Sequence, residues 1–306
     1  MRVVFFGTPT YAEHILSYLI DSKIEIVAIV TRPDKPKGRA RKMQSPPVKL
    51  LAQKLLPNVP IFQPSKASTP EFTQTLQEIK ADLFVVVAYG EIIKQFLLDI
   101  PPLGCINVHF SLLPRWRGAA PMQHALLAGD KETGVSIIRM VLAMDAGDIL
   151  GQEKIAIPES MTCGELAQKL CQIAGPLLVQ VIKELKDNKT HPVQQDPRFI
   201  TMAPKITPES ARIDWDQNAA DIHNKIRALN PHPGAWCEVE VGGQIKRLKI
   251  LRSEIHLANL NQYSKEGWFK ACGHGTLKLL EVQLEGKRAM STKEFISGVS
   301  QIKFIN

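Results

Sequence analysis

The sequence predicts an α/β fold in which a Rossmann-like parallel sheet is followed by a small C-terminal OB-like β-barrel. Three observations lead to this prediction. Apolar strands alternate with amphipathic helices through the first 186 residues, as they do in βαβ units. Several of these strands are aliphatic throughout, which is typical of strands covered on both faces. After a proline-rich stretch, short strands are separated by glycine turns, which is typical of a barrel.

The N-terminal part is predicted to hold six strands and five helices. The strands are short apolar runs bounded by turn residues, at 2–6, 24–30, 83–88, 104–109, 133–141 and 148–157. The helices are segments with apolar residues at helical spacing, at 11–20, 47–56, 70–80, 122–128 and 161–186. This alternation indicates a parallel sheet with helices on both sides.

A proline-rich stretch marks a change of composition. Residues 191–207 contain Pro192, Pro197 and Pro204, which indicate a linker. The sequence therefore predicts an N-terminal domain at 1–190 and a C-terminal β-barrel domain at 208–306. In the C-terminal part, a helix is predicted at 219–229 and strands at 235–241, 245–253, 267–271 and 276–283.

Composition excludes several classes of protein. The chain has 306 residues, of which 44% are hydrophobic and 22% charged, as in a globular protein. No apolar run approaches the roughly 18 residues of a membrane span, and the apolar start is too short for a signal peptide. The five cysteines form no CxxC pair, which argues against a disulfide scaffold or a structural zinc site. We therefore expect a cytoplasmic protein without a metal.

Positive charge is concentrated in one early loop. The net charge is +8, and residues 31–49 hold seven basic residues against Asp34 alone. Because Pro33, Pro36 and Gly38 disfavour regular structure, this loop is predicted to be exposed and irregular. Two interpretations stay open from charge alone: a solvated charge run, or a phosphate-seeking loop that binds nucleic acid.

The turn after the first strand argues against a dinucleotide-dependent enzyme and against a nucleotide-hydrolysing mechanism. A dinucleotide fingerprint needs three glycines in GxGxxG spacing, and only Gly7 is present. No GxxxxGKS or GxxxxGKT occurs either, so a P-loop is absent. Gly7 is best interpreted as a tight connection between strand and helix.

Three polar residues are candidates for chemistry. Asn107 and His109 end the fourth predicted strand, and strand alternation places both side chains on one face. Ligands of open α/β sheets gather at the carboxyl ends of strands. Asp145 lies in a turn with Gly147 between two later strands. Each residue also has an ordinary structural interpretation: a capping amide, a satisfied strand-end histidine and a turn-forming aspartate.

Longer motifs then resemble a known family. These motifs are Asn107-Val108-His109, Ser111-Leu112-Leu113-Pro114, Arg115-Trp116-Arg117-Gly118-Ala119-Ala120-Pro121 and Met144-Asp145-Ala146-Gly147-Asp148-Ile149. They resemble the folate-dependent formyltransferases, and shorter matches between Gly7 and Met290 extend the resemblance over the whole chain. Phe110 departs from the family, which usually has glycine at that position.

The resemblance implies a reaction and its partners. The formyl group of 10-formyltetrahydrofolate would be transferred to the α-amino group of the methionine carried by initiator tRNA, for translation initiation. No metal ion and no covalent intermediate is required, and we expect a monomer with no membrane contact. Asn107 and His109 would donate to the oxygen on which charge develops. Asp145 would accept a proton or hold His109 in its charged form, and the two roles stay open.

The resemblance also implies two sets of binding residues. The folate would lie beside Ser111, Leu112, Leu113, Pro114, Tyr89 and Ile92. The tRNA would be held by basic residues of the early loop and of the barrel, namely Arg39, Arg41, Lys42, Lys246, Arg247 and Lys249.

Two rival functions remain at this point. Another folate-using transferase or hydrolase acting on a small amine would share Asn107, His109 and Asp145 but would not need the basic loop or the barrel. A non-enzymatic RNA-binding protein would need the basic residues but not His109. Fold alone does not decide between these functions, because α/β sheets host many reactions.

Overall fold

The computed structural model describes residues 1–37, 42–256, 263–264, 267–298 and 302–305. The chain forms two compact units that interleave along the sequence. The first unit comprises Met1–Gly118, Gly134–Ile155 and Gln168–Met202, and the second comprises Ala119–Thr133, Ala156–Ala167 and Ala203–Asn306. Residues 193–202, which the sequence assigns to a linker, thus pack with the first unit. The domain limits at 190 and 208 stay a prediction.

The first unit is built on a seven-stranded sheet. Its strands are β1 (Arg2–Gly7), β2 (Glu25–Val30), β5 (Ile61–Phe62), β6 (Leu83–Val87), β7 (Cys105–His109), β8 (Glu132–Arg139) and β9 (Ile149–Ala156). Their order is β5-β2-β1-β6-β7-β8-β9, in which the first five are parallel and β8 runs antiparallel to β7. The strand order reverses direction between β1 and β6, and such a switch point is where open α/β sheets bind ligands.

Helices connect these strands, and several begin where the sequence supplies a start signal. They are α1 (Thr10–Asp21), α2 (Pro47–Leu55), α3 (Pro70–Ile79), α4 (Gln95–Leu98), α5 (Pro121–Leu127) and α6 (Cys163–Lys186). In α3 the Thr69 hydroxyl accepts from the Phe72 N–H and Pro70 occupies the first turn. Val3, Val4, Phe5 and Phe6 of β1 are fully buried, as expected for a central strand of a parallel sheet.

The basic loop contains a hairpin, so the prediction of an irregular segment is wrong at this point. Strands β3 (Lys35–Lys37) and β4 (Lys42–Gln44) pair antiparallel, with Pro36 opposite Met43. A two-stranded ribbon tolerates proline because one edge of each strand needs no N–H donor. At its base Asp34 accepts from Gln63, Lys49 and Ser45 at 2.7–3.0 Å. These hydrogen bonds, that of Gln63 first, lower the pKa of Asp34 to about 2.

The second unit contains a curled antiparallel sheet. Its elements are α7 (Ala219–Leu229), β10 (Ala235–Val241), β11 (Gln244–His256), β12 (Tyr263–Ser264), β13 (Gly267–Ala271), β14 (Thr276–Leu284), β15 (Met290–Ser291), α8 (Thr292–Ser297) and β16 (Ile302–Ile305). The sheet order is β12-β13-β14-β11-β10-β16. Two register shifts against β14 bend the long β11 strand. The predicted α/β fold class is confirmed, while the finer OB-like assignment stays a prediction.

Two features are absent among the described residues. No described helix combines the length and the apolar character that crossing a membrane requires. Among the same residues, no group of three or more histidine, cysteine, aspartate or glutamate side chains is placed to hold a metal ion.

Candidate active site

Strand β7 positions two of the three candidate catalytic residues. Asn107 is opposite Val86 of β6 and Ile138 of β8, and His109 is opposite Ser136 of β8. Because they are two residues apart in one strand, their side chains project from the same face of the sheet. His109 is buried and Asn107 is half-buried. The predicted strand end and the shared face are therefore both present.

Asp145 reaches these side chains from a loop that begins at the other end of β7. Because β8 is antiparallel to β7, the 140–148 loop starts beside Cys105, whose carbonyl accepts from the Met140 N–H. The loop then brings Asp145 Oδ1 to 3.5 Å from Asn107 Nδ2 and Oδ2 to 3.6 Å from His109 Nδ1. The Gly118 N–H donates to the same Oδ2 at 2.8 Å. The three candidate residues thus meet at one carboxylate.

A second loop, 110–118, fixes the histidine ring. His109 Nε2 lies 2.8 Å from the Trp116 carbonyl oxygen. Trp116 has a left-handed backbone (φ 65°), which turns this carbonyl, and its N–H donates to the Thr201 hydroxyl at 2.9 Å. The Arg117 N–H donates to the Thr201 carbonyl at 2.9 Å. Residues of the 193–202 segment therefore hold the loop that orients His109.

These contacts determine where His109 exchanges a proton. A carbonyl oxygen only accepts, so the ring nitrogen facing Trp116 carries hydrogen and Nδ1 is the site that titrates. Burial lowers the pKa of His109 below its usual value. The Asp145 carboxylate and the Trp116 carbonyl oppose this shift, and the Arg117 guanidinium adds to it. In neutral His109, Nδ1 carries a lone pair and lies beside the Asp145 carboxylate. If Nδ1 is protonated, this carboxylate stabilises the imidazolium.

The candidate folate residues differ in what they expose. Ser111, Leu113 and Tyr89 are buried, whereas Leu112 and Pro114 are half-buried and Ile92 is 75% exposed. The Ser111 hydroxyl donates to the Arg115 carbonyl at 2.7 Å. Burial raises the pKa of Tyr89 to about 12. Leu112, Pro114 and Ile92 therefore have side-chain surface that a ligand can contact, whereas Ser111, Leu113 and Tyr89 have almost none.

The site fits a flat, partly apolar ligand such as a folate. Leu112 and Pro114 present half-buried apolar surface immediately after the strand that carries His109. After the parallel neighbour β6, the chain turns at Ala88 and Gly90, both with positive φ, and the Cβ position of Gly90 faces open space. Apolar surface beside polar side chains is typical of small-molecule sites.

The candidate tRNA residues are only partly brought together. Arg39 and Arg41 lie outside the described residues, and Lys42 is exposed on β4. On β11, Arg247 and Lys249 share the outer face with Trp236, and the Arg247 guanidinium lies 4.3 Å from the Trp236 ring centroid. Lys246 is on the opposite face, in register with buried Val239. Lys249 Nζ donates to the Pro233 carbonyl at 2.6 Å.

The structure adds residues that sequence reasoning missed. Gln195 and Thr201 lie in the predicted linker, yet Gln195 contacts both site loops and Thr201 contacts the 110–118 loop. No spacing or composition signal marks them, because their roles depend on where two loops from distant parts of the chain meet. Phe110, the departure from the family pattern, is buried and packs edge-to-face on Tyr11, with ring centroids 5.3 Å apart.

Two family models match this chain. A family model described as formyl transferase matches residues 1–182. A second, described as the C-terminal domain of formyl transferase, matches residues 205–300. Together they cover the first sheet, the three candidate catalytic residues and most of the second sheet.

Individual relatives are similar over the full length. The chain is 46% identical to a methionyl-tRNA formyltransferase of Protochlamydia amoebophila, covering 100% of this chain and 98% of that protein. It is 42% identical to a methionyl-tRNA formyltransferase of Chlamydia muridarum, covering 98% and 97%.

Solved structures share the fold at much lower identity. WlaRD, a sugar 3N-formyl transferase, covers 94% of this chain and 99% of its own at TM-score 0.67 and 18% identity. HypX from Aquifex aeolicus, solved with tetrahydrofolic acid, covers 97% of this chain and 47% of its own at TM-score 0.66 and 14% identity. At such identities the likeness concerns the fold alone.

Proposed function

Because the chain belongs to the formyl transferase family, we propose that it transfers a formyl group from 10-formyltetrahydrofolate to the α-amino group of methionyl initiator tRNA. Full-length identity of 42–46% to methionyl-tRNA formyltransferases supports this choice of acceptor. The observation on which the chemistry depends is the Asp145 carboxylate, 3.5 Å from Asn107 Nδ2 and 3.6 Å from His109 Nδ1.

Asn107 acts on the oxygen of the transferred group. Its side-chain amide has two N–H donors, and only one is needed for Asp145. The other can donate to an oxygen that gains negative charge as the amine attacks. Such a preorganised donor is worth about 10²–10³ in rate.

His109 and Asp145 act together on the proton that the amine releases. Neutral His109 takes up this proton at Nδ1, because Nε2 is already hydrogen-bonded to the Trp116 carbonyl. The adjacent Asp145 carboxylate then stabilises the imidazolium. In this mechanism His109 is the general base and Asp145 stabilises its charged form. His109 then returns the proton to the tetrahydrofolate nitrogen as the bond between that nitrogen and the formyl carbon breaks, which regenerates the neutral ring.

Leu112, Pro114 and Ile92 would hold the folate, supported by buried Ser111, Leu113 and Tyr89. Bound 10-formyltetrahydrofolate supplies the carbon that is transferred. The protein holds the amine and this carbon next to each other in the orientation that attack requires. The reaction then proceeds as an effectively unimolecular step, which lowers its entropic barrier. The chemistry of these residues requires no metal ion.

The basic residues would bind the tRNA through its phosphates. The Asp34 contacts fix the base of the β3–β4 hairpin, on which Lys42 is exposed. Arg39 and Arg41, which lie outside the described residues, would add positive charge next to Lys42 in the sequence. Arg247 and Lys249 supply positive charge on the outer face of β11, and Lys246 contributes from the other face. Phosphate contacts of this kind give affinity with little sequence information.

The proposed setting is the cytoplasm, where the enzyme acts as a monomer. All five cysteines are unpaired, which suits a reducing compartment. Size-exclusion chromatography with light scattering at micromolar concentration checks the oligomeric state, and a particle of twice 34.1 kDa would contradict it.

The direct test is formyl incorporation from 10-formyltetrahydrofolate into methionyl initiator tRNA. We expect the wild-type protein to formylate this tRNA far faster than glycinamide ribonucleotide or an amino sugar. A preference for a small amine would favour the rival transferase. His109→Ala should reduce formylation about 10²–10⁴-fold while tRNA binding persists, and intact formylation would favour an RNA-binding protein instead.

Salt dependence tests the basic hairpin. Binding of tRNA should weaken steeply between low and moderate salt, because phosphate contacts release counterions. The slope of log K for tRNA binding against log salt concentration measures this effect. Replacing Arg41 and Lys42 by neutral residues should reduce its magnitude by about one for each phosphate contact that is lost. Replacing exposed Lys54 by a neutral residue is the control for the change in net charge. If the Arg41 and Lys42 variants have the wild-type slope, the hairpin does not take part in tRNA binding.

A further inference from the structure

Gln195 lies between the Asp145 turn and the loop that orients His109. Its Nε2 is 2.8 Å from the Asp145 carbonyl oxygen and 2.7 Å from the Gly147 carbonyl oxygen. Its Oε1 accepts from Arg117 Nε at 3.0 Å and from Arg117 Nη2 at 2.8 Å. Gln195 itself is half-buried, and all these groups belong to the first unit.

These contacts fix the orientation of the amide. The two carbonyls only accept and the guanidinium only donates, so a flipped amide would oppose both. In the observed orientation the amide nitrogen donates to both carbonyls and the amide oxygen accepts from the guanidinium. No other side chain of this length donates toward one partner and accepts from the other.

Gln195 contacts, at Asp145 and Gly147, a turn whose backbone conformation is sterically unfavourable at Asp145. Asp145 has φ 50°, in the left-handed region, which is sterically disfavoured for a residue with a Cβ atom. At Gly147 a Cβ atom would lie 1.8 Å from the Arg139 carbonyl oxygen, so this turn passes close to the end of β8. A strained turn keeps its shape only when surrounding contacts determine it.

We propose that Gln195 is a positioning residue, which holds the Asp145 carboxylate against Asn107 and His109 by donating to the carbonyls of Asp145 and Gly147. The inference rests on the proposed function for its effect on the reaction. Its structural part is independent of activity, because the Gly118 N–H donates to Asp145 Oδ2 and therefore reports where the carboxylate lies.

The experiment compares Gln195→Glu and Gln195→Ala with the control Gln194→Glu. Glutamate at 195 keeps an acceptor for Arg117 but loses the donor to the turn. The control adds the same charge at an exposed neighbouring position. Two quantities are measured: kcat and KM for formylation, and the Gly118 amide proton shift in protein labelled with 15N-glycine. Asp145→Asn identifies the Gly118 resonance.

We expect both Gln195 variants to lose about 10- to 100-fold in kcat, since a misplacement of about 1 Å can cost 10²-fold. KM for both substrates should change less than about threefold, and the Gly118 proton should move upfield as its hydrogen bond to the carboxylate breaks. Gln194→Glu should retain the wild-type kcat and shift. Circular dichroism and thermal melting confirm that the variants are folded.

The proposal is overturned if Gln195→Glu keeps the wild-type kcat, which would leave Arg117 as the partner that matters. An unmoved Gly118 resonance in both variants overturns it as well, whatever the activity. Failure of the wild-type protein to formylate methionyl-tRNA would instead refute the proposed function, and the Gly118 shift would still decide whether Gln195 holds the turn.

Discussion

Two buried histidines, His109 in the first unit and His223 in the second, have closely similar environments. They are 4% and 5% exposed. In each, Nε2 faces a carbonyl oxygen, that of Trp116 at 2.8 Å and that of Glu159 at 3.1 Å. In each, burial is the main cause that lowers the pKa.

The two rings differ in the partner of Nδ1. His223 Nδ1 is 3.0 Å from the Ser253 hydroxyl, which can donate to the lone pair of a neutral ring. His109 Nδ1 instead faces Asp145 Oδ2 at 3.6 Å, and an ionised carboxylate has no proton to donate. His223 Nδ1 therefore has a donor while the ring is neutral, whereas His109 Nδ1 faces a group that can only accept. Burial and a lowered pKa are common to both histidines, so under the proposed function the partner of Nδ1 is what distinguishes His109 from His223.

Replacing the residue that faces Nδ1 should have the largest effect, and the loss of kcat should differ strongly between the two histidines. Asp145→Asn removes the charge that stabilises the His109 cation, and we expect kcat to fall about 10²–10³-fold. Ser253→Ala should leave kcat within about threefold and cost about 1 kcal/mol of stability, because one hydrogen bond is removed. Steady-state formylation and urea unfolding measure both. The comparison breaks if Ser253→Ala impairs kcat as severely as Asp145→Asn.

A smaller effect is expected on stability and its dependence on pH. Because the folded pKa of His223 lies below its unfolded value of about 6.5, the unfolded chain binds more protons below that pH. The free energy of unfolding should therefore decrease as pH falls from 7 to 5. His223→Gln should lower stability at pH 7 by about 1–3 kcal/mol and make this decrease shallower.

Urea unfolding at several pH values, followed by tryptophan fluorescence, measures this effect. The signal reports mainly on the second unit, because Trp215, Trp236 and Trp268 belong to it. His191→Gln, at an exposed position, is the matched control. An equally steep decrease in His223→Gln would show that other groups are responsible.

The smallest effect concerns the arginine near each ring. Arg117 lowers the pKa of His109 and Arg227 lowers that of His223, since a neighbouring positive charge disfavours the imidazolium. Arg117→Gln and Arg227→Gln should each raise the titration midpoint of the corresponding histidine, by less than about one pH unit. NMR titration of 15N-histidine protein measures the midpoints, with the Arg→Lys variants as charge-conserving controls. A lower midpoint in either glutamine variant would contradict the assigned cause.

Local patterns predicted most of the secondary structure. The helix at 219–229 and the strands at 235–241 and 267–271 have the predicted bounds, because periodicity and turn residues act over a few positions. The same reasoning failed at Pro36, where the edge of a two-stranded hairpin requires no donor. The strand-end placement of Asn107 and His109 also followed from local alternation.

The sequence by itself determined the α/β class, the strand that carries Asn107 and His109, and the polar residue types that the chemistry needs. Only the tertiary structure decided that Asp145 crosses from the far end of β7 to reach them, because this depends on the antiparallel pairing of β8. It also decided that His109 Nε2 is hydrogen-bonded to the Trp116 carbonyl and that Gln195 donates to the turn that carries Asp145. Such contacts join residues up to 85 positions apart, as between Trp116 and Thr201, and long-range packing rather than local propensity fixes them.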